Sequence, residues 1–152
     1  MKRWLILIAV VLMGISQAED NWFGVRSGYP LGVTLHYGIE NALSNGFDLR
    51  ISANLRARGS SVDFGIGVDG LNTVQVERPF EVYLGGGPAI DFGGGGALID
   101  VHGLVGGEFR LYDVGINPLG IFAELSLGAA IGLGRSSVIP SFGGGVGVNW
   151  HF

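Results

Sequence analysis

The chain has 152 residues, 29 of them glycine, no cysteine, a formal net charge of −4 and a mean hydropathy of +0.43. One domain is what this length suggests, and disulfide frameworks and thiolate metal centres are excluded. Disordered glycine-rich chains are polar, so this chain must place its apolar residues in a core or in lipid.

The first element in chain order reads as a leader. Lys2 and Arg3 precede the apolar run Trp4 to Gly14, and Ser16-Gln17-Ala18 supplies small residues before Glu19. That order is the pattern of a secretory signal peptide, and the run is shorter than the roughly 20 residues that span a bilayer as a helix. The expectation is a cleaved signal peptide over residues 1–18 and a mature domain over 19–152. Without Lys2 and Arg3 the mature chain carries seven basic residues, all arginine, against 13 acidic ones, a net charge of −6. An acidic, lysine-free chain has no electrostatic footprint for nucleic acid.

From here the chain alternates with period two, as strands do. Asn21 to Ser27 predicts a first strand, with Phe23 and Val25 on one face and Arg26 on the other; Trp22 leaves its register open. Leu31 to Ile39 sets Leu31, Val33, Leu35, Tyr37 and Ile39 against Gly32, Thr34, His36 and Gly38. Phe47 to Arg56 sets its apolar residues against Asp48, Arg50, Ser52, Asn54 and Arg56, and Val62 to Asp69 does so against Asp63, Gly65, Gly67 and Asp69. Phe80 to Phe92 opposes Glu81, Tyr83, Gly85, Gly87, Ala89 and Asp91. Ala97 to Leu111 opposes Leu98, Asp100, His102, Leu104, Gly106, Glu108 and Arg110. Ile121 to Leu133 opposes Phe122, Glu124, Ser126, Gly128, Ala130 and Gly132, and Pro140 to Phe152 opposes Ser141, three glycines, Asn149 and His151.

No charge lies on the apolar face of the seven clear strands. An arginine facing lipid at mid-bilayer costs about 2–4 kcal/mol, so a lipid-facing surface explains that absence. Twelve strand glycines fall on the polar faces and four on the apolar ones. Small residues belong on the concave side of a curved sheet, which turns the bulky apolar groups outward. A soluble barrel would reverse this arrangement and would need roughly 25–35% charged residues on its surface. Aromatics near strand ends (Tyr37, Phe47, Phe80, Phe109, Trp150 and Phe152 at one level, Phe92 and Phe142 at the other) match interfacial girdles. A sheet in lipid must close on itself. The fold class expected is therefore all-β, a transmembrane antiparallel up-and-down β-barrel of about eight strands, with both termini at the periplasmic end.

The final strand, Val146-Gly147-Val148-Asn149-Trp150-His151-Phe152, resembles the C-terminal signature of bacterial outer-membrane proteins, a terminal aromatic with apolar residues at alternate positions before it. With the leader and the strand count, the mature chain resembles the small OmpA/OmpX-like eight-stranded barrel superfamily. That resemblance implies Sec export, insertion by the barrel assembly machinery reading Trp150 and Phe152, and a place in the bacterial outer membrane in contact with its lipid. One feature departs from the family pattern of short periplasmic turns. The expected external connections, Gly28 to Pro30, Ala57 to Ser60, Gly93 to Gly96 and Gly134 to Val138, are shorter than the periplasmic ones, Glu40 to Gly46, Gly70 to Pro79 and Tyr112 to Gly120.

The chemistry-bearing residues all fall on the inward faces. A polar lumen network is expected from Arg50, Arg56, Asp63, Glu81, Asp100, His102, Glu108, Arg110 and Glu124, beside Asp48, His36, Asn54 and Tyr83. It reads either as an ion-pair plug, because buried charges must be paired, or as a polar pathway for small solutes. No cofactor and no metal-ligand spacing are indicated. The glycine runs at 85–87, 93–96 and 143–145 lack the following helix and lysine of a phosphate loop. The leading expectation is a non-enzymatic barrel with a structural or envelope-integrity role, and the alternative is a narrow channel or carrier for small solutes. A lipid-modifying enzyme is disfavoured, because His36, His102 and His151 all face inward and no His-x-Ser signature occurs. Substrate and oligomeric state are not legible.

Overall fold

The computed structural model describes residues 21–44, 46–58, 61–93, 96–116, 118–133 and 138–152; the expected leader over residues 1–18 lies outside them. Eight strands follow one another: β1 (Asn21–Tyr29), β2 (Gly32–Ser44), β3 (Phe47–Arg58), β4 (Ser61–Glu77), β5 (Phe80–Gly93), β6 (Gly96–Arg110), β7 (Leu119–Gly132) and β8 (Val138–His151). A short 3-10 turn, Leu111–Val114, separates β6 from β7. Every strand pairs antiparallel with the next, and β8 pairs with β1, so the sheet is a closed barrel. At the seam the register runs from Trp22↔His151 to Tyr29↔Gly144. The start of β1 and the last residue are tied by two backbone hydrogen bonds, Asn21 N–H to the Phe152 carbonyl at 3.1 Å and Phe152 N–H to the Asn21 carbonyl at 2.9 Å. Closure leaves no strand edge in hydrocarbon, where each unsatisfied backbone group costs several kcal/mol.

The alternation decides which way each side chain points. Phe23, Leu35, Ile51, Phe64, Leu125 and Val146 are among the large apolar residues exposed on the outside. So wide an apolar surface suits lipid, not water. In β1, Trp22 is buried inside the barrel while Phe23 and Val25 are exposed, which fixes the register that the sequence left open. Aromatic girdles form as expected: Phe23 is the cross-strand partner of both Tyr37 and Trp150. Phe80 pairs with Phe109 at the same end, and Tyr29 stacks on Phe142 at the other.

Two of the three long connections expected at the terminal end are corrected. Residues 40–44 belong to β2, and residues 70–77 belong to β4, which turns directly through Arg78 and Pro79 into β5. Both stretches carry a register shift, between Ile39 and Ser44 in one and between Thr73 and Gln75 in the other. In β4 the shift inserts one extra residue, as a bulge does, whereas in β2 residues 40–43 stand against residue 48 alone; either breaks the period-two pattern, so a continuous strand reads as loop. At Asn41 the backbone takes a φ of 53°. The third long connection remains, partly wound into the 3-10 turn.

The interior is filled by setting large against small across neighbouring strands. Trp22 is partnered with Gly38, His36 with Gly24, Tyr83 with Gly106, and Phe122 with Gly147. A Cβ at Gly38 would lie 2.0 Å from the Trp22 ring, and one at Gly147 would lie 2.4 Å from Phe122. Small barrels commonly fit their taper by alternating small and large inward residues. Gly103, by contrast, points outward, and a Cβ there would meet nothing closer than 3.8 Å. Gly38→Val is therefore expected to lower barrel stability by about 1–3 kcal/mol through overpacking. Gly103→Ala is expected to change it by less than about 0.5 kcal/mol. Urea unfolding of the vesicle-inserted protein measures both.

Candidate functional site

The polar groups that alternation turns inward meet in a network across the lumen. Its node is Glu124 on β7, whose residue is 3% exposed. Glu124 Oε1 accepts from Arg50 Nη1 on β3 and, at 2.8 Å, from the Tyr83 hydroxyl on β5; Glu124 Oε2 accepts from Arg26 Nη1 on β1. β3 and β7 stand on opposite sides of the ring, so the Arg50–Glu124 pair crosses the full width of the barrel. The guanidinium of Arg50 also donates from Nε and Nη2 to Asp69 Oδ2 on β4, at 3.1 and 2.9 Å. Asp69 Oδ1 lies 3.1 Å from His102 Nε2 on β6. The other His102 nitrogen, Nδ1, is 3.0 Å from Asp100 Oδ2, and Asp100 Oδ1 accepts from the Ser141 hydroxyl at 2.5 Å. Charged hydrogen bonds of this kind are the stronger class, and a buried charge without them would not be tolerated.

A second cluster sits nearer the termini. Glu108 accepts from Asn149 Nδ2 at 2.6 Å and lies 2.6 Å from His151 Nε2. Arg110 reaches Glu81 at 3.1 Å, Glu108 at 3.3 Å and Glu40 at 3.4 Å. Between the two clusters Trp22, Leu71, Tyr83 and Leu104 form an apolar collar. At the opposite end Arg56 donates to Asp91 at 3.0 Å.

Open space is divided accordingly. A vestibule of about 500 Å³ opens at the end away from the termini, and another of about 630 Å³ opens at the terminal end. Around Arg50 lie two small cavities of about 60 and 30 Å³, enough for a few waters.

All nine residues expected in the lumen network lie inside. Arg50 meets Glu124, His102 meets Asp100, and Arg110 meets Glu81 and Glu108. Arg56 and Asp63 are cross-strand partners near the other end, away from this core. The sequence reading did not assign Asp69, Asp91, Glu40, Asn149 or Ser141 to the network. All but Glu40 stand on the inward faces already derived, so strand parity was the signal that finds them. Ser141 donates to a carboxylate and not to a histidine, whereas a hydroxyl nucleophile needs an adjacent base.

Fold, face and lumen together define a transmembrane eight-stranded β-barrel with an apolar exterior and a polar, internally bonded interior. No protein-family model matches the sequence, and no curated protein matches it. Solved structures do. Neisserial surface protein A matches with a TM-score of 0.60 at 15% identity, over 88% of this chain and 94% of that one. The N-terminal β-barrel domain of Pseudomonas aeruginosa OprF matches with a TM-score of 0.57 at 14% identity, over 88% and 96%. A de novo designed transmembrane β-barrel matches with a TM-score of 0.50 at 15% identity, over 88% and 93%. At these identities the likeness is one of fold, and it agrees with the resemblance to small outer-membrane barrels drawn from the last strand.

Removing one partner of a buried ion pair leaves the other charge uncompensated, at a cost of about 3–5 kcal/mol. Glu124→Ala is therefore expected to destabilise the barrel by that amount. Glu81→Ala is expected to cost under about 1 kcal/mol, since Arg110 keeps Glu108 and Glu40 and the Glu81 side chain is 24% exposed. Equal losses for the two in urea unfolding would contradict the assignment of Glu124 as the node.

Proposed function

We propose that the protein is a non-enzymatic outer-membrane barrel whose role is structural, a closed element of the envelope wall that does not pass solutes. The observation that carries this reading is the Glu124 node. Donors from β1, β3 and β5 converge on a β7 carboxylate, so the lumen is crossed by side chains where a channel would need a continuous water path. The leader expected over residues 1–18 and the largely apolar exterior support an outer-membrane location reached by Sec export. Trp150 and Phe152 are the residues we assign to recognition by the barrel assembly machinery. Both are exposed on the outside of the last strand, where a receptor could read them before closure.

Conductance separates this role from that of a narrow channel. Purified protein in planar bilayers is expected to stay silent across salt concentrations; reproducible unitary steps from the unmodified protein would establish the channel instead. Assembly has its own measurement. Deleting Phe152 is expected to reduce severalfold the heat-modifiable form recovered in the outer-membrane fraction. Undiminished recovery would remove Phe152 from that role.

A further inference from the structure

We propose that a notch in the barrel wall above the β1–β2 hairpin is a lateral port for an anionic membrane lipid, whose headgroup enters the vestibule of about 500 Å³ and rests on Arg26 and Arg56 while its chain stays in the bilayer.

The notch follows from strand lengths. β1 starts beside Phe152 and runs for 9 residues, whereas the other strands run for 12 to 17. Its shortness therefore falls at the end away from the termini. β1 and β8 pair as far as Tyr29↔Gly144, and β8 continues through six residues, Val138–Gly143, with no partner on that side among the described residues. Some overrun is the stagger that closing a barrel requires. β4 passes its last pair with β5 by three residues, and β6 its last pair with β7 by two. The excess at β8 is thus roughly three residues, or ~10 Å of strand. On the other flank β3 outlasts β2, since Ala57 and Arg58 lie beyond the last pair, Gly32↔Arg56. The missing wall is two strands wide, roughly 10 Å. Pro140 stands in the overhanging part of β8, and a proline suits an edge that no strand pairs.

The floor of this notch lies at the membrane interface. Tyr29, the last residue of β1, stacks on Phe142 of β8 with ring centroids 5.2 Å apart, and such aromatics mark the headgroup level. Leu31 at the hairpin tip and Phe142 beside it are exposed. The opening therefore faces lipid headgroups sideways, with an apolar sill for the first carbons of a chain. The vestibule behind it is lined by the hairpin itself and by the overhanging residues of β8.

A guanidinium stands at each inner corner of the port. A Cβ at Gly32, the first residue of β2, would lie 3.1 Å from Arg56 Cγ, and one at Gly145, the β8 partner of Gly28, would lie 3.0 Å from Arg26 Cγ. Asp63, Asp91, Asp100 and Glu124 outnumber these two arginines around the mouth, so net charge does not draw an anion in. Access does. The Arg26 and Arg56 side chains are 26% and 33% exposed, whereas their partners Glu124 and Asp91 are 1% and 9% exposed, and Asp63 is buried. Each arginine bonds its carboxylate through Nη1. A guanidinium has five donors, so Nε and Nη2 stay available to an oxyanion, and their fork matches a phosphate. The volume lies within the range of small-molecule sites, about 300–1,000 Å³.

The test uses the full barrel in uncharged maltoside micelles, titrated with decyl phosphate, decyltrimethylammonium, decyl maltoside and inorganic phosphate while backbone amide shifts are followed by NMR. Saturable shifts at Gly32, Arg56 and Gly145 are expected with decyl phosphate. The other three probes are expected to bind at least about tenfold more weakly. Arg56→Gln is expected to weaken decyl phosphate by about tenfold, and Leu31→Asp, on the exposed sill, by severalfold. The proposal is overturned if decyl phosphate gives no saturable shift at these positions, or if the cationic or uncharged amphiphile binds as well. It is equally overturned if inorganic phosphate binds as well, which would mark an anion site reached from water, or if the variants change nothing. Should Arg56→Gln fail to fold, Leu31→Asp and the probe series on the unmodified protein decide.

Discussion

An eight-stranded closed sheet encloses just enough space for one filling of side chains, and nearly every feature of this protein answers to that limit. Tryptophan, tyrosine, phenylalanine and histidine cannot stand inside such a cylinder unless the neighbouring strand gives way. Glycine provides the concession: Gly38 beneath Trp22, Gly106 beneath Tyr83, Gly147 beneath Phe122 and Gly24 beneath His36. The glycine content is thus a packing device, distributed by cross-strand pairing. The same crowding brings charges from opposite walls into contact. Arg50 and Glu124 could not meet across a wider barrel without water between them.

That contact decides what the barrel is suited to do. Burying an arginine and a glutamate costs several kcal/mol per ion before their attraction and hydrogen bonds are counted. The cost is met by giving both Glu124 oxygens and three Arg50 nitrogens a partner. The resulting bridge holds four alternate strands, β1, β3, β5 and β7, to a common point. A barrel braced at its waist in this way is the basis on which we propose a wall element and not a conduit.

Much of this was legible in the sequence because a strand announces its two faces. Period-two alternation distinguishes inside from outside for residues such as Asp100, Glu108 and Glu124 with no knowledge of neighbours. It is silent on height, since the shear between strands sets which inward residues share a level. The pairing of Arg50 with Glu124, four strands apart in the ring, therefore had to come from the structure. In β4 the alternation falters just past Asp69, where Leu71 turns an apolar side chain inward, and the register shift between Thr73 and Gln75 follows, so the second half of that strand reads as a loop. Asp69 itself falls on the inward face, but parity alone does not show that it meets Arg50. Trp22 was ambiguous for a different reason: a tryptophan is apolar enough for lipid, and only the glycine opposite it at position 38 reveals that it turns inward.

The seam between β1 and β8 carries a kinetic consequence. Seven of the eight strand pairings join neighbours in the chain, and each can form as a local hairpin. The eighth must bring Asn21 to Phe152. Because loop-closure entropy grows only with the logarithm of length, this step costs about 2 kcal/mol more than closing a loop of roughly ten residues. The network crossing the lumen makes the step cooperative. Arg26 on the seam strand reaches Glu124 only once the ring is shut, so sealing the backbone and completing the buried bridge are a single event. A curved, unsealed sheet would expose both a hydrogen-bonding edge and an incompletely neutralised glutamate, which leaves few comfortable stopping points between an open chain and the finished barrel.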